Sequence, residues 1–424
     1  MKPNRLRMTA RPSRQRGLSL IELMVALLLS GLLVLGLVQI FSASRASYSL
    51  AQGAARVQES ARFAFDSLQR DIRHAGQFGC SSDQAHFQFG GRAVRELFLR
   101  DRQDYGTVPD VANNDALRFD FSLRGYEANG SAPNQAVALS TIPVAGAAGD
   151  WSPALPASLA GLDPLPVRGS DILALRVLSP ESAEVLDFDV SSADPTRATV
   201  SVRSGQWAVL AAGGASGLLG IADCRSAVVF QAESVGVGSG STLINTAVTG
   251  LNQSAFDGAD VFGIGQARLH RAESYVFYVG LKSDDQPALF RARFDAQPGA
   301  PSISVRSEEL VEGVENLQLM YGQDIERRAA RPPLGRLGTV TTATGVNLTA
   351  SGRPEIDKWL PQLAWQRVNK VQIGMAVRSN DQTSTPTRTA AMSAQGTLLA
   401  PPNDGRYRSV YETNIAVRNR LTGN

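Results

Sequence analysis

Arg16-Gly17-Leu18-Ser19-Leu20-Ile21-Glu22-Leu23-Met24 joins a basic leader to a long apolar run. Upstream lie Lys2, Arg5, Arg7, Arg11, Arg14 and Arg16, with no acid among them. Downstream, Leu18–Phe41 carries one charge, Glu22. At about 1.5 Å per residue, a helix of that length crosses a hydrocarbon core roughly 30 Å thick. The basic flank holds its own end in the cytoplasm, so the rest of the chain faces outward.

Two ordinary readings fit less well. A secretory signal has an apolar region of about 7–15 residues closed by a small-residue cleavage site. Here the run is longer, and Phe41-Ser42-Ala43-Ser44-Arg45 leads into more helical sequence. A plain membrane anchor explains the run but not Glu22, since a charge at the bilayer centre costs about 2.5–3.5 kcal/mol on insertion scales. Position near the cytoplasmic end lowers that cost without removing it.

Gly17-Leu18-Ser19-Leu20-Ile21-Glu22-Leu23 resembles the class III signal of type IV prepilins and type II secretion pseudopilins. The resemblance implies that a prepilin peptidase cuts between Gly17 and Leu18 and N-methylates Leu18. Leu18 departs from the phenylalanine usual there. Glycine leaves no side chain to obstruct the scissile bond, and cleavage discards six cations. A carboxylate taken out of water needs a partner. The family's answer for Glu22 is the terminal amine, often that of a neighbouring subunit, which sets register in a filament.

The net charge of +3 belongs to the leader, because its loss leaves −3 on the remainder. General nucleic-acid binding therefore has no electrostatic support. Cys80 and Cys224 are the only cysteines. An outward-facing, oxidising location favours a disulfide between them, the other reading being two unpaired buried thiols. A bridge closing so long a loop contributes about 4–5 kcal/mol in the chain-entropy model.

Apolar residues recur at spacings of three and four through Leu50, Ala54, Val57, Ala61, Ala64, Leu68, Ile72 and Ala75. This predicts that the apolar run continues as one helix to about Ala75, with Gly76 and Gly79 as its stop. After about residue 81 the texture becomes β-like. Val371–Val377 and Tyr411–Val417 alternate as half-buried strands. Further expected strands are Ala116–Phe121, Ile172–Leu178, Ala198–Val202, Ser226–Gln231, Tyr275–Leu281, Leu289–Phe294 and Leu317–Tyr321. Residues 122–170 and 329–356 read as long loops.

No catalytic constellation emerges. His74, His86 and His270 lack metal-ligand spacing, and His74 suits a helix C-terminus as a cation. His86 and His270 read as surface or half-buried residues. Gly236–Gly240 and Gly263–Gly265 read as flexible loops, lacking the lysine of a phosphate loop. Asp284-Asp285 and Glu308-Glu309 read as solvated turns rather than a calcium loop. Trp359 and Trp365 read as packing residues, with partner anchoring as the alternative.

Segments of the C-terminal region resemble the PilW family of minor pilins. They are Asp223–Gln231, Glu273–Val279 with Leu289-Phe290-Arg291, Gly313–Gln318 through Tyr321-Gly322, and the closing stretch Tyr411–Arg420. The expected fold is α+β and type IV pilin-like, a long N-terminal helix on a mainly antiparallel β-sheet head with long loops. Expected parts are a leader over 1–17, a transmembrane or filament-core helix over 18–41, an amphipathic continuation over 42–76 and a β-rich head over 77–424. The resemblance implies a non-enzymatic subunit in a pilus-initiation or tip complex, serving adhesion and twitching motility. It implies prepilin peptidase, other minor pilins, the major pilin, a tip adhesin and the inner membrane as partners, with no cofactor, metal or nucleic acid. The chain would sit in the inner membrane with a periplasmic head, then on the pilus. A type II secretion pseudopilin and a membrane-anchored periplasmic binding protein or enzyme are the competing readings.

Overall fold

The computed structural model describes residues 17, 19–87, 94–99, 115–120, 122–211, 217–258, 260–263, 265–357, 359–383 and 391–420. Residues 1–16 of the leader and Leu18 lie outside these residues.

One helix, Leu20–His74, runs through the expected span. No proline interrupts it, and Gly76 follows its end at a φ of +82°. That is left-handed backbone, which glycine adopts without strain. A side chain on Gly76 would also crowd Arg420 Nε and Asp83 Oδ1. The chain divides into two compact units, Met1–Gln52 and Gly53–Asn424.

In the second unit the helix buries Gly53, Val57, Ala61, Ala64, Leu68 and Ile72. The expected stripe is thus displaced at its start, with Gly53 buried where Ala54 is half-buried. A Cβ on Gly53 would lie 2.5 Å from Thr383 Cγ2, so the close approach requires glycine. The stripe shares one core with Leu173, Leu175 and Phe277 of one sheet and Leu317, Ile373 and Met375 of another. Burial of such side chains, at about 25 cal/mol per Å² of apolar area, is the main stabilising term here. Asp71 adds an ion pair to Arg291 at 3.0 Å.

The described strands form four sheets, mostly antiparallel as expected. The largest has twelve strands. Its main path runs Ser234–Val237, Ser241–Thr246, Ala198–Arg203, Ile172–Val190, Arg268–Leu281, Leu218–Ala222, Ala227–Gln231 and Arg95–Glu96. Pro287–Asp295 and Ser304–Glu312 extend it from Arg268–Leu281, and Leu123–Ala128 and Trp151–Ser152 from Ile172–Val190. A second sheet orders Leu337–Thr341, Val314–Asp324, Val368–Gln382 and Arg406–Ala416, antiparallel throughout. Sheets of three and two short strands complete the head. Two pairings are parallel, Ala227–Gln231 with Arg95–Glu96 and Thr397–Ala400 with Ala136–Ala138.

Several expectations need correction. Asp115–Leu117 is a 3-10 turn, so no strand occupies Ala116–Phe121 among its described residues. The Asp115 carboxylate explains this, since it collects Arg124, Tyr126 and Arg176 and fixes a turn in place of extended chain. The 122–170 stretch contains the strand Leu123–Ala128, and 329–356 contains Leu337–Thr341. Gly236–Gly240 is the tip of a hairpin between Ser234–Val237 and Ser241–Thr246, closed by Gly238 N donating to Ser241 O at 3.0 Å. The closing strand ends at Ala416, followed by a 3-10 turn over Arg418–Arg420.

Candidate processing and assembly site

Gly17 is exposed and precedes the helix. Ser19 is the residue before the first helical position, and Glu22 lies in the first turn. Glu22 Oε2 accepts from Ser19 N at 2.9 Å and from Ser19 Oγ at 3.1 Å. Glu22 N donates back to Ser19 Oγ at 3.2 Å. These reciprocal bonds form a capping box, which satisfies two backbone donors that a helix start leaves open. The Ser-x-x-Glu spacing signals such a box, and the expectation of a wholly intermolecular partner for Glu22 omitted it. The box engages one carboxylate oxygen; the other has lone pairs to spare for an external donor.

Beyond Glu22, every large apolar side chain from Leu20 to Phe41 is 53–76% exposed. They lie on all sides of the helix, a pattern that belongs in lipid or in the core of an assembly rather than on a wetted surface. Leu20–His74 is the one helix among the described residues long and apolar enough to cross a membrane.

In the head, Cys80 and Cys224 are joined by a disulfide, with Cα atoms 4.6 Å apart and 144 residues between them in sequence. Both are exposed rather than buried. The bridge fastens the turn just after the helix to the turn between Leu218–Ala222 and Ala227–Gln231.

Close by, Asp83 and Arg420 form a fully buried ion pair. Arg420 Nη1 donates to Trp365 O and Val368 O, both at 2.8 Å, and Nη2 to Ser122 Oγ at 2.7 Å. Asp83 also accepts from Ser122 Oγ at 2.8 Å. A second buried cluster centres on Glu315, which accepts from Arg378 at 3.3 Å and from Arg408 at 2.8 and 3.1 Å. Arg408 donates in turn to both carboxylate oxygens of Asp404. Sequence inspection singled out none of these residues, because nothing in their spacing distinguishes them from surface charges.

The remaining singled-out residues take structural places. His74 ends the helix. His270 is buried, more so than expected, with Nδ1 2.8 Å from Ser179 O. His86 is half-buried, and burial holds its imidazole below the ordinary range. Lys282 pairs with Asp284 and Glu309, and Arg291 with Glu308. No group of three potential metal ligands occurs among the described residues. Trp365 is buried edge-on to Tyr321.

Asp171 is a further site that the sequence did not mark. Its Oδ1 accepts from Ala128 N and its Oδ2 from Leu319 N, each at 2.8 Å, joining the twelve-stranded sheet to the four-stranded one. Burial pushes its carboxyl up to about 7, against the two backbone donors and with Glu127 adding repulsion. The charged form is therefore disfavoured in the folded head relative to the unfolded chain. Stability linked to Asp171 is fully present below about pH 4 and lost as pH rises through about 7. Urea unfolding midpoints of wild type and Asp171→Asn, compared between these limits, should converge or diverge with pH in that sense. A pH-independent difference between them would contradict it.

The description "Type IV Pilus-assembly protein W" belongs to a family whose model matches residues 276–419. That stretch takes in the whole four-stranded sheet, the Glu315 cluster and most of the adjoining strands. A "Prokaryotic N-terminal methylation motif" matches residues 12–38, which include Gly17, Leu18 and Glu22. No curated protein and no solved structure matches the chain. The two families point to a structural pilus component rather than an enzyme, and the motif with its apolar helix suggests membrane anchoring. They imply processing by prepilin peptidase and assembly with other pilins. The methylation motif at its start and the PilW match near its end together support a PilW-family type IV minor pilin.

Proposed function

We propose that this minor pilin is cut between Gly17 and Leu18, N-methylated on Leu18, and taken from the inner membrane into a type IV pilus. Before assembly its N-terminus is cytoplasmic and its head periplasmic. Leu18–Phe41 then packs in the filament core. Glu22 pairs with the terminal amine of a neighbouring subunit, exchanging or supplementing the local bonds from Ser19. In this role the protein helps initiate assembly or build a tip complex with other minor pilins, the major pilin and an adhesin, and so supports adhesion and twitching.

The observation that carries this reading is the helix exposed on all sides that begins within the methylation motif, with one acid at its start. Such a surface needs lipid first and other apolar helices later. The leader supplies the orientation through its six cations.

Mass spectrometry of the membrane-extracted protein should give an N-terminal peptide beginning at methylated Leu18. An intact 1–17 segment would reject the pilin mechanism. A deletion strain should lose surface piliation and twitching. Normal piliation with lost exoprotein secretion would instead support the pseudopilin reading.

A further inference from the structure

Two open sheet edges of the head carry opposite charge. Leu337–Thr341 ends one side of the four-stranded sheet, and Ser304–Glu312 is the outer strand that follows Pro287–Asp295 in the twelve-stranded one. Among the described residues each pairs with a strand on one side only, so its outer backbone groups have no strand partner. We propose that Leu337–Thr341 of one copy adds as a strand to Ser304–Glu312 of a second copy, which makes the head a self-association surface. The contact involves the head alone and does not rest on processing at Gly17.

Charge selects this pairing. Residues 325–341 hold Arg327, Arg328, Arg331 and Arg336 against one acid, Glu326. Both oxygens of Glu326 are taken by Arg328. The preceding Asp324 is buried and accepts from the backbone of Glu326, Leu334 and Arg336. Arg331 and Arg336 stand exposed, in no ion pair among the described residues. On the other edge Glu308, Glu309 and Glu312 outnumber Arg306. Glu309 and Glu312 share Lys282 with Asp284, so one cation serves three carboxylates. Glu308 shares Arg291 with Asp71. Two basic edges repel each other, as do two acidic ones, which leaves the mixed pairing.

Apolar groups flank both edges. Ile325, Leu334, Leu337 and Val340 are exposed around the basic strand. Val305 is exposed on the acidic one, and Phe63, 59% exposed, lines with Leu310 and Val311 a cleft of about 480 Å³ beside it. Strand addition takes affinity from main-chain bonds and specificity from such side chains. An acidic segment of another protein would cover Leu337–Thr341 but leave Ser304–Glu312 open, whereas copies of this chain cover both. Because the two edges differ, the contact is heterologous, and successive copies extend in a row.

Sedimentation velocity on the full chain, at one copy per detergent micelle and with the Cys80–Cys224 bridge intact, tests this. The wild type should associate with a Kd of about 10–100 μM. Raising salt from about 0.05 to about 0.5 M should weaken association at least about fivefold, as for exposed opposite charges. Arg331→Glu with Arg336→Glu, or Glu308→Lys with Glu309→Lys, should each weaken it at least about tenfold. An equimolar mixture of the two variants should regain association, since each supplies the edge that the other lacks. Helix-to-helix contact through the apolar segment predicts none of these changes. The salt response of the wild type decides the matter if a variant does not fold. A wild type that stays monomeric at about 0.5 mM overturns the proposal and leaves the edges to another protein. So does association that salt does not weaken, association unchanged in a folded variant, or a mixture of folded variants that stays monomeric.

Discussion

Glu22→Leu is expected to enter the membrane and be cut normally, yet to be nearly absent from sheared pili. Leucine suits the apolar run, so insertion does not suffer. On the proposed pairing, what is lost is a charge-assisted bond to a neighbouring amine, worth about 1.5–3 kcal/mol and so roughly 10–100-fold in recruitment. Leucine also removes the cap on Ser19 N, which confounds the comparison. Glu22→Gln separates the two effects. Glutamine at this helix position can keep the reciprocal box with Ser19 while carrying no charge. If pairing drives recruitment, the glutamine variant should fail about as badly as the leucine variant. Immunoblots of the pilus fraction against the membrane fraction measure this. Wild-type incorporation of Glu22→Gln would show that the cap, not the charge, is the functional element.

Arg420→Met is expected to cost the head about 3–5 kcal/mol, because it leaves the Asp83 carboxylate buried without its cation. The loss extends beyond the pair. Trp365 O, Val368 O and Ser122 Oγ each lose a donor, and these groups lie on three separate segments. Asp83→Leu combined with Arg420→Met should be less damaging than either change alone, since an apolar pair of similar volume often replaces a buried ion pair at little cost. Chemical denaturation of the three variants, with the Cys80–Cys224 bridge intact, provides the comparison. A single-variant loss below about 1 kcal/mol would mean that the site relaxes to admit water, and that the pair does not lock the chain end to the helix end.

Much of the fold was legible because its signals are local. The helix shows in a long apolar run and then a stripe at three- and four-residue spacing, and its end shows in Gly76. Alternation marked Val368–Gln382, which contains the expected Val371–Val377, and Arg406–Ala416, which contains the expected Tyr411–Val417 except its last residue. The misreadings have tertiary causes. Leu123–Ala128 lies in a region rich in turn formers and is strand because it pairs with Ile172–Val190. Leu337–Thr341 is an exposed edge strand, recognisable through its pairing with Val314–Asp324 rather than through a buried face. Ala116 and Leu117 looked extended by composition, but the Asp115 carboxylate, drawn to Arg176 and Arg124, turns the chain there.

The sequence by itself determined the long apolar helix, the methylation motif and the acid within it, because hydropathy, leader charge and a short motif act along contiguous chain. It also held the capping box, in the spacing of Ser19 and Glu22. The tertiary structure alone decided which of the many charges are buried partners. Asp83 meets Arg420 across almost the whole head, and Asp171 bolts Ala128 to Leu319. It decided equally that two short helices, an early turn and Asp120 enclose one pocket. Pairing energies of buried ions and the walls of a cavity depend on distance in space, which residue order does not encode for a head built from non-local β-pairing.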